Sequence, residues 1–174
     1  TYQTYLADDE ENPGKPKGFG TPSGKMEFKS GLLEKLGFEG LAKYEEPHVS
    51  PVATPDLFEQ YPLILTTGNR VPWYVHSKYR HTPWLNQFMP EPIVRLHPKT
   101  AAERGLEDGE QVRVFNQLGE IEVKLEVTNL VLPGVVDIFH GWEKANVNKL
   151  TAREFDHVTG YPPFKSGLCQ VERA

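Results

Sequence analysis

Apolar and polar residues follow one rhythm before residue 61 and another after it. Beyond Tyr61, PLILTT is a short apolar and β-branched run suited to a strand buried on both faces, and PIVRLH is a second such run. EIEVKLEVT alternates apolar Ile121, Val123, Leu125 and Val127 with charged Glu122, Lys124 and Glu126, the period-two pattern of a strand with one wet face. GVVDIFHGW predicts another strand and LCQVE a last one. Between them, HPKTAAERGLEDGEQVRVFN reads as a small helix with Pro98 in its first turn and Gly105 at its end. A Glu-Asp-Gly turn and then a strand follow it. Many short strands with one or two small helices predict a closed or nearly closed β-barrel.

The first third of the chain reads differently. Residues 1–24 are broken by Gly14, Pro16, Gly18, Gly20 and Pro22 and predict an extended, poorly packed segment. KMEFKS predicts a short strand. In GLLEKLGFEGLAKY, Leu32, Leu33, Leu36, Phe38 and Leu41 have partly helical spacing, and Gly37 and Gly40 limit it to one or two short turns. Residues 45–61, with Pro47, Pro51 and Pro55, read as a connecting loop. The organisation expected is an extended segment and linker over 1–60, then a barrel over 61–174.

Composition narrows the chemistry. With 174 residues, 38% hydrophobic and 25% charged, the chain is long enough for one sizeable core. A formal charge of -5 argues against binding to a nucleic-acid backbone, although local cations can still grip a phosphate. One cysteine, Cys169, can form no internal disulfide and cannot by itself hold an iron–sulfur cluster or a structural zinc. No segment approaches the roughly 18 to 20 apolar residues of a membrane helix, so no direct membrane insertion is expected. The acidic, Pro- and Gly-rich N-terminus is unlike a signal peptide. Starting without methionine, the sequence reads as a processed chain or a piece of a longer one.

Donors cluster where the first strand stops. In LTTGNRVPWYVHSKYR the strand runs into Thr67, Gly68, Asn69 and Arg70, where Gly68 permits close backbone approach and Asn69 and Arg70 offer donors suited to a phosphate or a purine edge. His76, Ser77 and Arg80 add three more, with Trp73, Tyr74 and Tyr79 able to wall a site or stack on a ligand. The bland alternative is a solvated barrel loop. His140 and Trp142 close an apolar strand, where a single histidine is more often an interior hydrogen bonder. Asn146, Asn148 and Thr151 could present paired amides to a heterocycle or simply cap a turn. Tyr161, Phe164 and Lys165 lie in a stretch that also suits a plain proline turn.

Order and spelling carry more than any one of these signals. TPSGKMEF, LTTGNRVPWYVHSKYR, PIVRLHPKTAAERGLEDGEQVRVFNQLGEIEVKLEVT, PGVVDIFHGW, ANVNKLT and GYPPFKSGLCQV together resemble the C-terminal molybdopterin dinucleotide-binding domain of the DMSO reductase family. The flavour is closest to the branch of polysulfide and thiosulfate reductases and acetylene hydratase. The resemblance implies a mainly β fold, a six-stranded double-psi β-barrel with a few short helices, whose loops clasp a bis-molybdopterin guanine dinucleotide carrying molybdenum or tungsten. It puts phosphate and guanosine contacts on Thr67, Gly68, Asn69 and Arg70, and places His76 and Ser77, with Arg80 beside them, near pterin or phosphate. His140 and Trp142 would line the cleft, Asn146 and Asn148 reach the pterin, and Tyr161, Phe164 and Lys165 complete the clamp. This sequence has Thr-Gly-Asn-Arg where many relatives have Thr-Gly-Arg, and Asp156-His157 where Asp-Pro is frequent.

The resemblance also implies what lies elsewhere. The metal's protein ligand and any 4Fe–4S cluster belong to preceding domains of the same polypeptide, so no catalytic or metal-ligating residue is assigned and the chain alone is not expected to turn over. An iron–sulfur electron-transfer subunit is a further implied partner. The compartment, periplasmic or cytoplasmic, is left open for a soluble enzyme of bacterial or archaeal type. A hydrolase reading fails for want of a GxSxG elbow, and a zinc enzyme for want of HExxH. The stronger rival is a stand-alone double-psi barrel serving as a nucleotide- or protein-binding adaptor.

Overall fold

The computed structural model describes residues 4–174, and the chain divides into two compact units, the first ending at Glu45 and the second running over Glu46–Ala174. In the second unit every barrel strand expected from the hydrophobic pattern is present. They are β1 (Leu63–Asn69), β2 (Ile93–Leu96), β3 (Gln111–Asn116), β4 (Gly119–Val127), β5 (Val135–Phe139) and β6 (Gly167–Arg173). They close in the order β1-β5-β2-β4-β3-β6. Two pairs, β1 with β5 and β2 with β4, are parallel, and the other neighbours are antiparallel. Closure leaves no free sheet edge.

Alternation fills the interior. In β4, Ile121, Val123 and Leu125 are buried while Glu120 and Glu122 are exposed, so the period-two reading holds residue by residue. They meet Val94 and Leu96 of β2, Val112 and Val114 of β3, Val136 and Ile138 of β5, and Leu63 and Leu65 of β1 in one core. Between β2 and β3 lies the expected helix, Pro98–Glu103. The His97 ring caps its start by accepting from the Lys99 amide at 3.1 Å, and Gly105, at φ +62, ends it.

Two further short helices are Pro55–Gln60, inside the expected connecting loop, and Pro83–Asn86, where no element was expected. Each starts on proline, which breaks a helix interior but suits its first position because the missing N–H has no partner there anyway.

The first unit has a short helix over Gly31–Lys35, begun by Ser30, whose hydroxyl accepts from Leu33 N–H at 3.3 Å. KMEFKS forms no strand. Thr21 and Lys25 instead close a turn through a 2.6 Å bond from the threonine hydroxyl to the lysine carbonyl, and no described segment of this unit offers a ladder partner. None of its described residues from Tyr5 onward is buried.

The strand registers bring six chain ends to one end of the barrel. Asn69 pairs with Phe139, Val94 with Ile138, Asn116 with Gly119, and Leu65 with Gly167. Thus β1, β3 and β5 finish there and β2, β4 and β6 begin there.

Candidate functional site

β1 carries one extra residue between Thr66 and Asn69 against its partner β5, where Thr66 faces Asp137 and Asn69 faces Phe139. Such a bulge re-aims side chains at the end of a strand. Thr67 is turned toward the loop before β6, and both its amide and its hydroxyl donate to the Phe164 carbonyl, at 2.8 and 3.1 Å. At Gly68 the stem of Lys165 crosses so closely that a Cβ would lie 3.2 Å from its Cγ. This couples the predicted Thr67–Arg70 loop to the predicted Phe164–Lys165 clamp.

Asn69 and Arg70 divide the work between them. The Asn69 amide donates to Asp137 Oδ2 at 2.7 Å and its carbonyl oxygen accepts from Arg70 N–H at 3.1 Å, so Asn69 locks β1 to β5. Arg70 is exposed, and no ion pair engages its guanidinium among the described residues. Asp137 is buried on the outer face of β5. Burial pushes its carboxyl above the ordinary range, against the pull of the Asn69 bond and the Arg95 charge, with Glu126 adding to the rise.

From Arg70 to Pro92 the chain leaves the barrel and returns. Val71, Tyr74 and Met89 pack on Phe139 and Trp142 in a second apolar cluster, and Tyr74 Oη ties the excursion by donating to the Met89 carbonyl at 2.8 Å. Its tip is a tight turn bridged between Val75 and Lys78, with His76 in the left-handed region at φ +56. That turn presents His76 Nδ1 to His140 Nε2 at 2.9 Å. Gly141 is required beside it, since its φ is +108 and a Cβ there would sit 2.9 Å from the His76 carbonyl oxygen. Ser77 is exposed next to this pair.

Two donors close by lack acceptors. The Arg80 guanidinium lies 5.2 Å from the centroid of the Trp142 ring, and both Arg80 Nε and Trp142 Nε1 are buried without a hydrogen-bond partner. Buried N–H groups are nearly always satisfied, so each of these two donors calls for an acceptor. An anionic, carbonyl-bearing cofactor fits that requirement.

The remaining predicted residues lie elsewhere on the same rim. Asn146 caps a 3-10 helix over Val147–Leu150 by accepting from Asn148 N–H at 3.1 Å, while Asn148 itself is exposed. That helix is held by Asn116, a buried amide the sequence reading passed over, which donates to the carbonyls of Leu150 at 2.9 Å and Leu168 at 3.3 Å. Its position at the end of an alternating strand was the available signal. Tyr161 and Phe164 meet edge-on with centroids 5.9 Å apart. Asp156 shapes their loop: bonds from the amide and hydroxyl of Thr159 and from the Val158 amide hold its carboxyl below the ordinary range. Aspartate thereby closes the turn without a following proline.

A groove of about 590 Å³ opens on the outer barrel wall beside Asn69 and Arg70. Stacked Trp73 and Phe88, 5.1 Å apart, form one wall. Arg95, paired with Glu126 at 2.9 Å, forms part of the other. None of the other predicted site residues lines it. Cys169 is buried and its thiol is raised by desolvation, which makes it an inert core residue. Among the described residues no three His, Cys, Asp or Glu side chains gather as a metal site, and no helix is long and apolar enough to cross a membrane.

The chain is similar to known proteins in sequence and in fold. Residues 63–168 match the family described as molydopterin dinucleotide binding domain. The dopamine dehydroxylase of Eggerthella lenta is 38% identical over 149 residues, covering 76% of this chain and 15% of that protein. Acetylene hydratase of Syntrophotalea acetylenica is 38% identical over 128 residues, covering 72% and 18%. Dimethyl sulfoxide reductase DmsA of Escherichia coli is 30% identical over 194 residues, covering 99% and 22%. The solved acetylene hydratase from Pelobacter acetylenicus superposes with a TM-score of 0.79 at 29% identity, over 92% of this chain and 25% of that one. The chain therefore spans a quarter or less of each of these proteins. On its strand order, its rim of donors and its match over most of the barrel, this chain belongs to the molybdopterin dinucleotide-binding domains of the DMSO reductase family.

Proposed function

We propose that this chain is the C-terminal clasp for a bis-molybdopterin guanine dinucleotide in a larger molybdenum or tungsten oxidoreductase. The observation that carries the reading is the pair of buried, unpartnered donors, Arg80 Nε and Trp142 Nε1, on the rim beside His76 and His140. Leaving such donors unmet is costly, and phosphate or pterin oxygens supply the acceptors. When bound, the cofactor supplies the metal-centred chemistry. Arg70 offers a free cation to a phosphate, Ser77 and Asn148 offer further donors, and Trp142 excludes water beneath them. Thr67, Gly68, Asn69 and Asn146 act by fixing loop geometry. Lys165, its stem folded over Gly68, closes one side, with Tyr161 and Phe164 behind it. The metal's protein ligand, any 4Fe–4S cluster and an electron-transfer subunit lie outside this chain, in preceding domains and partners of the oxidoreductase.

The test uses the full-length polypeptide that contains this chain. It is denatured, and guanine nucleotide, pterin fluorescence and molybdenum or tungsten are quantified. About two guanosine equivalents and about one metal per chain are expected for a cofactor of two dinucleotides around one metal. Arg70→Ala and Arg80→Ala should lower both while leaving the barrel folded. No pterin and no metal in the unaltered protein would overturn the reading and bring the nucleotide- or protein-binding adaptor forward.

A further inference from the structure

Asp137 is a buried carboxyl on the outer barrel wall, where an apolar side chain would fill the same space without desolvating an acid. Its ladder neighbours are Thr66 on β1 and Arg95 on β2, and Arg95 turns its guanidinium to Glu126 at 2.9 Å. Among the described residues, the one side-chain hydrogen bond to Asp137 comes from Asn69. That bond exists because of the bulge in β1. In a regular parallel ladder Gly68 would stand opposite Phe139, and Asn69 would point to the other face of the sheet. The extra residue puts Asn69 opposite Phe139, on the face that Asp137 occupies.

The Asn69 amide then has two partners of opposite kind. Its NH2 group donates to Asp137 Oδ2 at 2.7 Å, and its carbonyl oxygen accepts from the Arg70 N–H at 3.1 Å. Turned over, the amide would set an N–H against that of Arg70, so one orientation alone satisfies both. Ionised or protonated, the Asp137 carboxyl keeps a lone pair for this bond. Arg70 is exposed and its guanidinium has no ion pair among the described residues, so the backbone from which it leaves the barrel sets its direction.

We infer that Asp137 is a positioning residue: acting through Asn69, it holds the start of the Arg70 loop in the geometry in which that arginine meets an anion. Asp137 does not touch the anion. It keeps the loop ordered beforehand, so that binding does not have to order it. That the anion belongs to the dinucleotide cofactor rests on the reading above, whereas the coupling of Asp137 to Arg70 belongs to this chain.

The experiment has two readouts. One is hydrogen exchange of the Arg70 amide, followed by NMR in the 174-residue chain. The other is the half-time of guanine loss when the full-length polypeptide is dialysed. Asp137→Leu and the β-branched Asp137→Val keep the position filled but remove the acceptor. Each should speed Arg70 exchange about tenfold and shorten the half-time. Where leucine overfills the position and the fold is lost, valine decides. Asp137→Asn keeps an acceptor oxygen and should match the unaltered protein in both readouts, which separates an acceptor from a filler. Asn69→Ala should loosen Arg70 as well, and adding Asp137→Val to it should cause no further loss, because Asp137 acts through Asn69. Unchanged Arg70 exchange in the valine variant, equal losses in the valine and asparagine variants, additive losses in the double variant, or faster exchange with an unchanged half-time overturns the inference. Should the unaltered full-length protein hold no guanine, the cofactor reading fails and Arg70 exchange alone judges Asp137.

Discussion

The N-terminal unit and the barrel are both rich in large apolar residues, yet they dispose of them in opposite ways. Phe28, Tyr44, Leu32 and Leu36 are 85%, 84%, 65% and 62% exposed, whereas Leu96, Val112 and Ile138 of the barrel are 0% exposed. Among its described residues the first unit is held by turns, a 3-10 turn over Thr4–Leu6, a single bridge between Asp8 and Pro16 and an α-helix of five residues, so its interactions are nearly all local. The barrel pairs strands far apart in sequence, and closure gives every inward side chain a full shell of neighbours. Burial follows from ladders that return on themselves, and a hydrophobic composition alone does not supply it.

The largest consequence should be seen in the barrel. Leu96→Ala is expected to cost about 2–5 kcal/mol in urea unfolding, as a fully buried leucine with close-packed neighbours should. A smaller loss would mean that the core is looser than its burial suggests. Next comes the rim: Gly141→Ala forces a Cβ against backbone at an unfavourable φ and should cost roughly 1–3 kcal/mol. In the same variant, NMR of the imidazoles should show that His76 and His140 no longer share a hydrogen bond. Gly68→Ala, which meets only the flexible Lys165 stem, should be much milder.

Asp137 gives a pH-dependent test. Its folded carboxyl is raised above the ordinary value of 3.8, chiefly by burial, so the protonated form suits the fold. The associated stability is present below the unfolded value and is lost as pH rises through the folded one. Asp137→Asn should therefore be the more stable protein at about pH 7, with the gap closing toward about pH 4, as read from urea midpoints across pH. The smallest effect belongs to the N-terminal unit, where Leu36→Ala should change stability by no more than about 0.5 kcal/mol. A loss comparable with that of Leu96→Ala would show that the exposed apolar residues are covered in solution.

Much of the barrel was legible in the sequence, because alternation in EIEVKLEVT and the runs PLILTT and PIVRLH encode which side of a strand faces inward. The helix after His97 was legible too, through Pro98 and Gly105. The helices at Pro55 and Pro83 were missed, because no apolar period follows either proline to mark it as a helix start, and KMEFKS shows that a strand-like run without a partner stays unpaired. For the site, the donors on the rim could be named but not arranged. Nothing in LTTGNR says that Asn69 is spent on Asp137 while Arg70 stays free, or that the rings of His76 and His140 touch.

By itself, then, the sequence determined the strands, their inward faces, the family and the kinds of donor gathered on its loops, since these depend on local periodicity and residue type. Only the tertiary structure decided which donors are already satisfied and which wait for a ligand. That outcome depends on the bulge in β1, the parallel register of β1 with β5 and the left-handed turn at His76. Each brings together groups that lie far apart along the chain, where short-range pattern carries no information about distance.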